Sequence, residues 1–205
     1  MKALLALMVV IMSVVISGCA STGALGKSDL AKLGPVRLST DVDAPKTAYY
    51  HGAASNFETM GLIGAAIATI DRPVDQALTE YLEKENIDIR KIVLERFSVA
   101  LKNTTLSEKM DSHGDNEMKI RIEGYGLGKG AGMSNNMRPS LRIIVTLVSS
   151  KKEVLWEGSA RVGGATEELP IKTIEEWMKD PEALRAAFSR AADMASSKVL
   201  KDYQS

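Results

Sequence analysis

Residues 141–162 read LRIIVTLVSSKKEVLWEGSARV, and their pattern decides the fold. Leu141, Ile143, Val145 and Leu147 alternate along one face, while Ile144 and Val148 add apolar side chains to the other. A strand covered on much of both sides carries such a pattern; a half-solvated one alternates more cleanly. Ser150-Lys151-Lys152 is short and polar and reads as a turn. In residues 153–162, Val154, Trp156, Ala160 and Val162 share one face. The two runs predict an antiparallel hairpin whose first strand is central in its sheet. Trp156 is expected in the core.

The flanking segments extend this sheet and cover it. In 118–127, MKIRIEGYGL, Ile120 and Ile122 face inward and Lys119, Arg121 and Glu123 outward. Glycine then recurs at 124, 126, 128, 130 and 132, and Pro139 follows, so 128–140 is expected to be a flexible loop at a strand end. Gly126-x-Gly128-x-x-Ala131 resembles a dinucleotide-binding turn, but GMSNNMRPS follows it and no helix N-terminus is available to hold a pyrophosphate. Residues 36–42, VRLSTDV, alternate as a first strand, and 43–56 are loop-like, with Tyr49, Tyr50 and His51 side by side. Asp71 and Pro73 open a helix whose apolar face is Val74, Leu78, Tyr81 and Leu82. Asp88 caps a second helix, 89–103, striped by Ile89, Ile92, Val93, Phe97, Ala100 and Leu101. A polar loop is expected over 104–117, with His113 in solvent, and a short helix holding Trp177 over 172–179. Asp180 and Pro181 start the last helix, lined by Leu184, Phe188, Ala191, Ala195 and Val199. The order strand, helix, helix, three strands, helix predicts an α+β domain over 36–205. Its sheet is mixed or mainly antiparallel, of about four strands, with helices mainly on one face.

The chain begins MKALLALMVVIMSVVISGC. A basic start, an apolar middle and small residues before Cys19 make a secretory leader, 1–18. Ile16-Ser17-Gly18-Cys19 resembles the lipobox of bacterial lipoproteins. That resemblance implies cleavage before Cys19, a diacylglyceryl thioether on its sulfur and an acylated amine, palmitate or a similar fatty chain. One acyl chain holds a membrane weakly, at roughly 0.8 kcal/mol per buried methylene, whereas three hold nearly permanently. Ala20 and Ser21 follow where that family's inner-membrane retention signal places Asp, which favours the inner leaflet of the outer membrane with the domain in the periplasm. Residues 19–35 read as a lipidated tether, small, polar and glycine-bearing. The fifteen residues 20–34 within it reach roughly 20–23 Å on average. STGALGKS at 21–28 falls one glycine short of a phosphate loop and lacks its preceding strand.

Residues 57–70, FETMGLIGAAIATI, carry no charge from Met60 to Ile70. Three readings stay open there: a buried core element, a self-association surface through small residues four apart, or a contact for lipid or an apolar ligand.

Composition narrows function by exclusion. Without the leader the chain has 25 basic and 26 acidic residues, which gives no support for a nucleic-acid partner. Cys19 is the only cysteine, so no intramolecular disulfide forms. His51 and His113 are the only histidines and neither lies in a nucleophile motif; the acidic run at 111–117 does not fit a calcium loop. No catalytic, cofactor or metal residue stands out, so the expectation is a non-enzyme. The element order, with VLWEGSARV and the Asp180-Pro181 helix, is similar to accessory lipoproteins of bacterial transport and assembly systems. Two functions are expected from this. One is a lipid-anchored envelope protein that binds a protein partner at the outer membrane. The alternative is an accessory of lipid or solute transport, touching an apolar ligand through 57–70 and 128–140.

Overall fold

The computed structural model describes residues 32–51, 74–129, 136–163 and 168–204. The leader, Cys19, the tether up to residue 31, the 57–70 stretch and residues 71–73 lie outside the described residues.

The hairpin and its neighbour form an antiparallel meander: β3 (Asn116–Lys129), β4 (Asn136–Val148) and β5 (Val154–Val162), with β4 central. Three rows cross it on one face: Met118, Leu147 and Trp156; Ile120, Val145 and Gly158; Ile122, Ile143 and Ala160. All are buried. β1 (Val36–Asp43) joins the outer edge of β3 in parallel, Val36 opposite Asn116, and β2 (Tyr49–Tyr50) continues that edge with Tyr49 opposite Gly126. β6 (Lys172–Thr173) pairs with the first residues of β4. The sheet is therefore mixed, four long positions wide, with two of its six strands only two residues long. A parallel neighbour needs a crossover, and α1 (Val74–Lys84) and α2 (Ile89–Lys102) supply it. After β6 come α3 (Ile174–Lys179) and α4 (Pro181–Gln204).

The helices cover one face. α2 lies on β1 and β3, α4 on β4 and β5, and the two pack on each other. The expected α4 stripe, Leu184, Phe188, Ala191, Ala195 and Val199, is no more than 1 % exposed throughout. Its alanines let the helix sit close, and Gly158 makes room for the Trp156 ring, which Tyr203 of α4 meets edge-on at 5.0 Å. Burial pushes the Tyr203 phenol up to about 12. The helix ends are tied by the groups the sequence implied. Asp88 Oδ1 accepts from the Lys91 N–H (3.2 Å) and Asp180 Oδ1 from the Ala183 N–H (2.9 Å). Arg185 of α4 donates to the carbonyls of Glu85 and Asn86 (2.8 Å each), closing the C-terminus of α1.

Several expectations are corrected. The described residues of 128–140 are strand: β3 runs to Lys129 and β4 begins at Asn136, and 130–135 lie outside the described residues. Gly124 and Gly126 serve close approach to Tyr49. At Gly126 (φ +157°) a Cβ would stand 1.9 Å from the Tyr49 carbonyl oxygen, so only glycine lets β2 lie against β3. Tyr49 and Tyr50, expected in a loop, are that strand. Val154 is 57 % exposed because a register shift after Leu147 turns it to the opposite face from Trp156. The 104–117 loop contains a 3-10 turn, Thr105–Lys109, that buries Leu106, and β3 starts at Asn116. In 172–179 the first two residues pair with β4, and the helix opens at Ile174 with a Thr173–Glu176 capping box. Trp177 is fully buried and donates Nε1–H to the Met137 carbonyl (2.9 Å).

Gly126→Ala should therefore lower stability by about 1–3 kcal/mol, read as a lower urea midpoint. Gly124→Ala, whose Cβ would meet only a movable Tyr49 ring carbon at 3.3 Å, should cost less.

A second prediction concerns acid. Hydrogen bonds from Thr173 hold the Glu176 carboxyl below its usual value, and the Ala183 N–H does so for Asp180, helped by Lys172. Depressed carboxylates stabilise above their unfolded pKa, near 4, and that contribution fades as pH falls through the lower folded value. The gap in melting temperature between the wild type and Asp180→Ala should narrow as pH drops from about 6 to about 2.5.

Candidate functional site: an arginine cleft on the open face of the sheet

The side chains that alternate away from the helices make a charged surface. Arg37 and Lys119 both meet Glu117 (3.2 and 3.4 Å). Burial pulls the Glu117 carboxyl upward, but Lys119 and Arg37 outweigh it and hold the group below the usual range. Thr146 Oγ1 donates to Glu157 at 3.3 Å.

Toward the far end of β3 this face hollows into a cleft of about 540 Å³. Register builds it. Arg142 stands opposite both Gly124 and Arg161, and Arg121 comes from the adjoining stretch of β3. Glu123 binds two of these guanidinium groups, Arg142 Nε at 2.8 Å and Arg121 Nη2 at 3.6 Å. Arg161 meets no carboxylate among the described residues. The wall opposite is aromatic. Tyr49 lies over Gly124 and its ring stacks on His51, centroids 4.6 Å apart at 31°. Hydrogen bonds from Ala48 N to Thr79 Oγ1 (2.8 Å), Tyr50 N to Asp75 Oδ1 (2.7 Å) and His51 N to the Leu127 carbonyl (3.0 Å) fix that wall. Three arginines against two carboxylates, Glu123 and Asp43, leave the cleft net positive and suit an anionic surface or group.

A smaller cleft of about 360 Å³ lies between the β1–β2 loop and the α1–α2 turn, where Asn86 takes a positive φ of 55°. Its charges alternate, Lys46, Glu83, Asp88 and Arg90, around Tyr125. Burial, with Glu83 and Asp88 adding and Arg90 opposing, pushes the Tyr125 phenol up.

The histidines are placed apart. His51 belongs to the cleft wall. His113 sits on an exposed turn, where Ser112 Oγ (3.0 Å) and Asp111 Oδ1 (3.7 Å) both approach the same ring nitrogen, Nδ1. A nucleophile relay needs them on opposite nitrogens. Among the described residues no three His, Cys, Asp or Glu side chains gather closely enough to hold a metal, and no helix is long and apolar enough to cross a membrane. Sequence reasoning missed the cleft. Arg121, Arg142 and Arg161 lie on three strands some twenty residues apart, and only the register brings them together.

No protein-family model matches the sequence, and no curated protein matches it. Among solved structures the chain is similar to the protein XCC0632 of Xanthomonas campestris, family DUF330, at 13 % identity and a TM-score of 0.44, covering 84 % of this chain and 89 % of that one. It is similar to PelC of Paraburkholderia phytofirmans, solved as a dodecamer, at 11 % identity and 0.33, covering 84 % and 92 %. It is also similar to the lipoprotein GNA1162 of Neisseria meningitidis at 15 % identity and 0.25, covering 64 % and 84 %. At these TM-scores none of the likenesses bears on what the protein does.

Glu123→Gln should release Arg121 and Arg142 and raise the salt needed to elute the protein from a heparin column, whereas Arg142→Glu should lower it. Exposed ion pairs contribute about 0–1 kcal/mol, so the melting temperature should change little in either variant.

Proposed function

We propose that this is a non-catalytic envelope lipoprotein, anchored through Cys19 to the inner leaflet of the outer membrane, that docks an acidic protein partner on the open face of its sheet. The observation that carries the docking is the sidedness of the sheet. Helices cover one face, and the other presents the arginine cleft with Arg161 unmatched by any carboxylate among the described residues. Buried apolar rows explain the covered face, but stability does not require three arginines to converge on the other. The lipobox supports the anchor. The tether supports the reach, since Leu33 is already buried in the domain and the span from Cys19 is short. The transport alternative leans on 57–70, which lies outside the described residues, and on 128–140, whose described residues are strand, so no observation favours it.

Two measurements test the proposal. Intact mass of detergent-extracted protein should show the chain starting at Cys19 with added acyl mass; Met1 retained, or an unmodified sulfur, refutes the anchor. A photo-crosslinking residue at Ser159 should capture an envelope protein in intact cells, and Arg142→Glu with Arg161→Glu should reduce that capture at least tenfold. Undiminished capture by the charge-reversed protein refutes docking at the cleft.

A further inference from the structure

Next to the cleft the sheet ends in an edge. β5 pairs with β4 on one side, and among the described residues no strand lies on its other side. In an antiparallel edge strand, alternate residues direct N–H and C=O outward, and such a row is a template for another chain. β5 carries little of the usual protection. It is nine residues long without proline or lysine, and its one irregularity falls at the hairpin end, beside Val148. Val154 and Leu155 are exposed at that end, and Arg161 is exposed at the other, where it lines the cleft. On the premise that the cleft docks an acidic partner, we infer that the partner adds an extended segment to this edge, antiparallel to β5, with a carboxylate opposite Arg161.

Charge and register together select the occupant. From Trp156, opposite Leu147, to Val162, opposite Leu141, the pairing of β5 with β4 is regular. Trp156, Gly158, Ala160 and Val162 are buried, so Glu157, Ser159 and Arg161 are the residues left to meet a new neighbour on the open face. Arg161 stands opposite Arg142, and like charges directly opposite repel. Arg142 has its counter-charge in Glu123 at 2.8 Å, whereas Arg161 has no ion pair among the described residues. A carboxylate on a strand laid outside β5 would face Arg161 with Cβ atoms about 5 Å apart. Glu157 already accepts from Thr146 Oγ1 at 3.3 Å, so a neutral residue suits the position opposite it. Main-chain hydrogen bonds would then supply affinity and Arg161 the choice of partner. Two copies of this chain paired through β5 would also match Glu157 to Arg161. That pairing would carry their tethers at opposite ends of the joined sheet, which suits two anchors in one leaflet poorly.

The test uses the full chain in neutral dodecyl maltoside micelles and a fluorescein-labelled peptide, EVTVTVV, written to lie antiparallel with its glutamate opposite Arg161. Fluorescence anisotropy should show saturable binding. A copy with lysine in place of the glutamate should bind about tenfold more weakly, and Arg161→Glu should reverse that preference. N-methylation of alternate amides, tried on both alternating sets, should abolish binding for one set, because one edge of the peptide loses its donors. No saturable binding, N-methylated peptides that both bind as tightly as the parent, or a preference unmoved by Arg161→Glu overturns the inference. So does a wild type that is dimeric in the micelles and that Glu157→Arg makes monomeric, since the edge then belongs to a second copy. In cells, capture at Ser159 that charge reversal abolishes, beside N-methylated peptides that bind undiminished, leaves docking at the cleft standing and removes strand addition alone.

Discussion

Successive side chains on a strand point to opposite faces, so the register between β3, β4 and β5 decides what the helices can cover. The three rows that cross the meander put Met118, Ile120 and Ile122 in line with Leu147, Val145 and Ile143, and with Trp156, Gly158 and Ala160. A slip of one residue in β5 would turn Trp156 to water and offer Glu157 to α4. The rest of the fold depends on that register. The alanine stripe of α4 fits because the Trp156 ring lies down over Gly158. α2 can then lean on α4 and close over β3.

The parallel edge follows from the same geometry. Once α1 and α2 intervene between β1 and β3, β1 returns parallel, and its pairing shifts after Leu38. β2 takes up the edge farther along, where β3 has Gly124 and Gly126. It is held there from α1 by Asp75 and Thr79 and by the bare backbone of β3. The crossover helices therefore set the aromatic wall of the cleft. Tyr81 adds a tie on the opposite side by donating its hydroxyl hydrogen to the Met178 carbonyl at 2.9 Å. Burial, with Glu85 and Asp180 adding, pushes that phenol to about 12.

What the sequence revealed were features written within one element. The helix caps at Asp88 and Asp180, the α4 stripe and the inward run of β4 depend on neighbours three, four or two residues away, and all stand as read. What it hid depends on partners far along the chain. Glycine at 124 and 126 signals freedom when read alone, yet its purpose is contact with Tyr49, more than seventy residues earlier. Val154 alternates correctly with Trp156 on paper, and only the shift against Val148 turns it out. The arginines are ordinary solvent-facing residues on their own strands. Their convergence is a property of the register.

The sheet also has a direction. The tether joins it beside the first residues of β3: Leu33 is buried, and the Pro35 carbonyl accepts from the Asn116 N–H at 3.2 Å. The cleft is built at Gly124, eight residues on, which at about 3.3 Å per residue lies roughly 26 Å along the strand. On the proposed anchoring through Cys19, the start of β3 would lie nearer the lipid than the cationic end of the sheet. A partner standing off from the membrane would then reach the cleft without the domain lying down on the lipid.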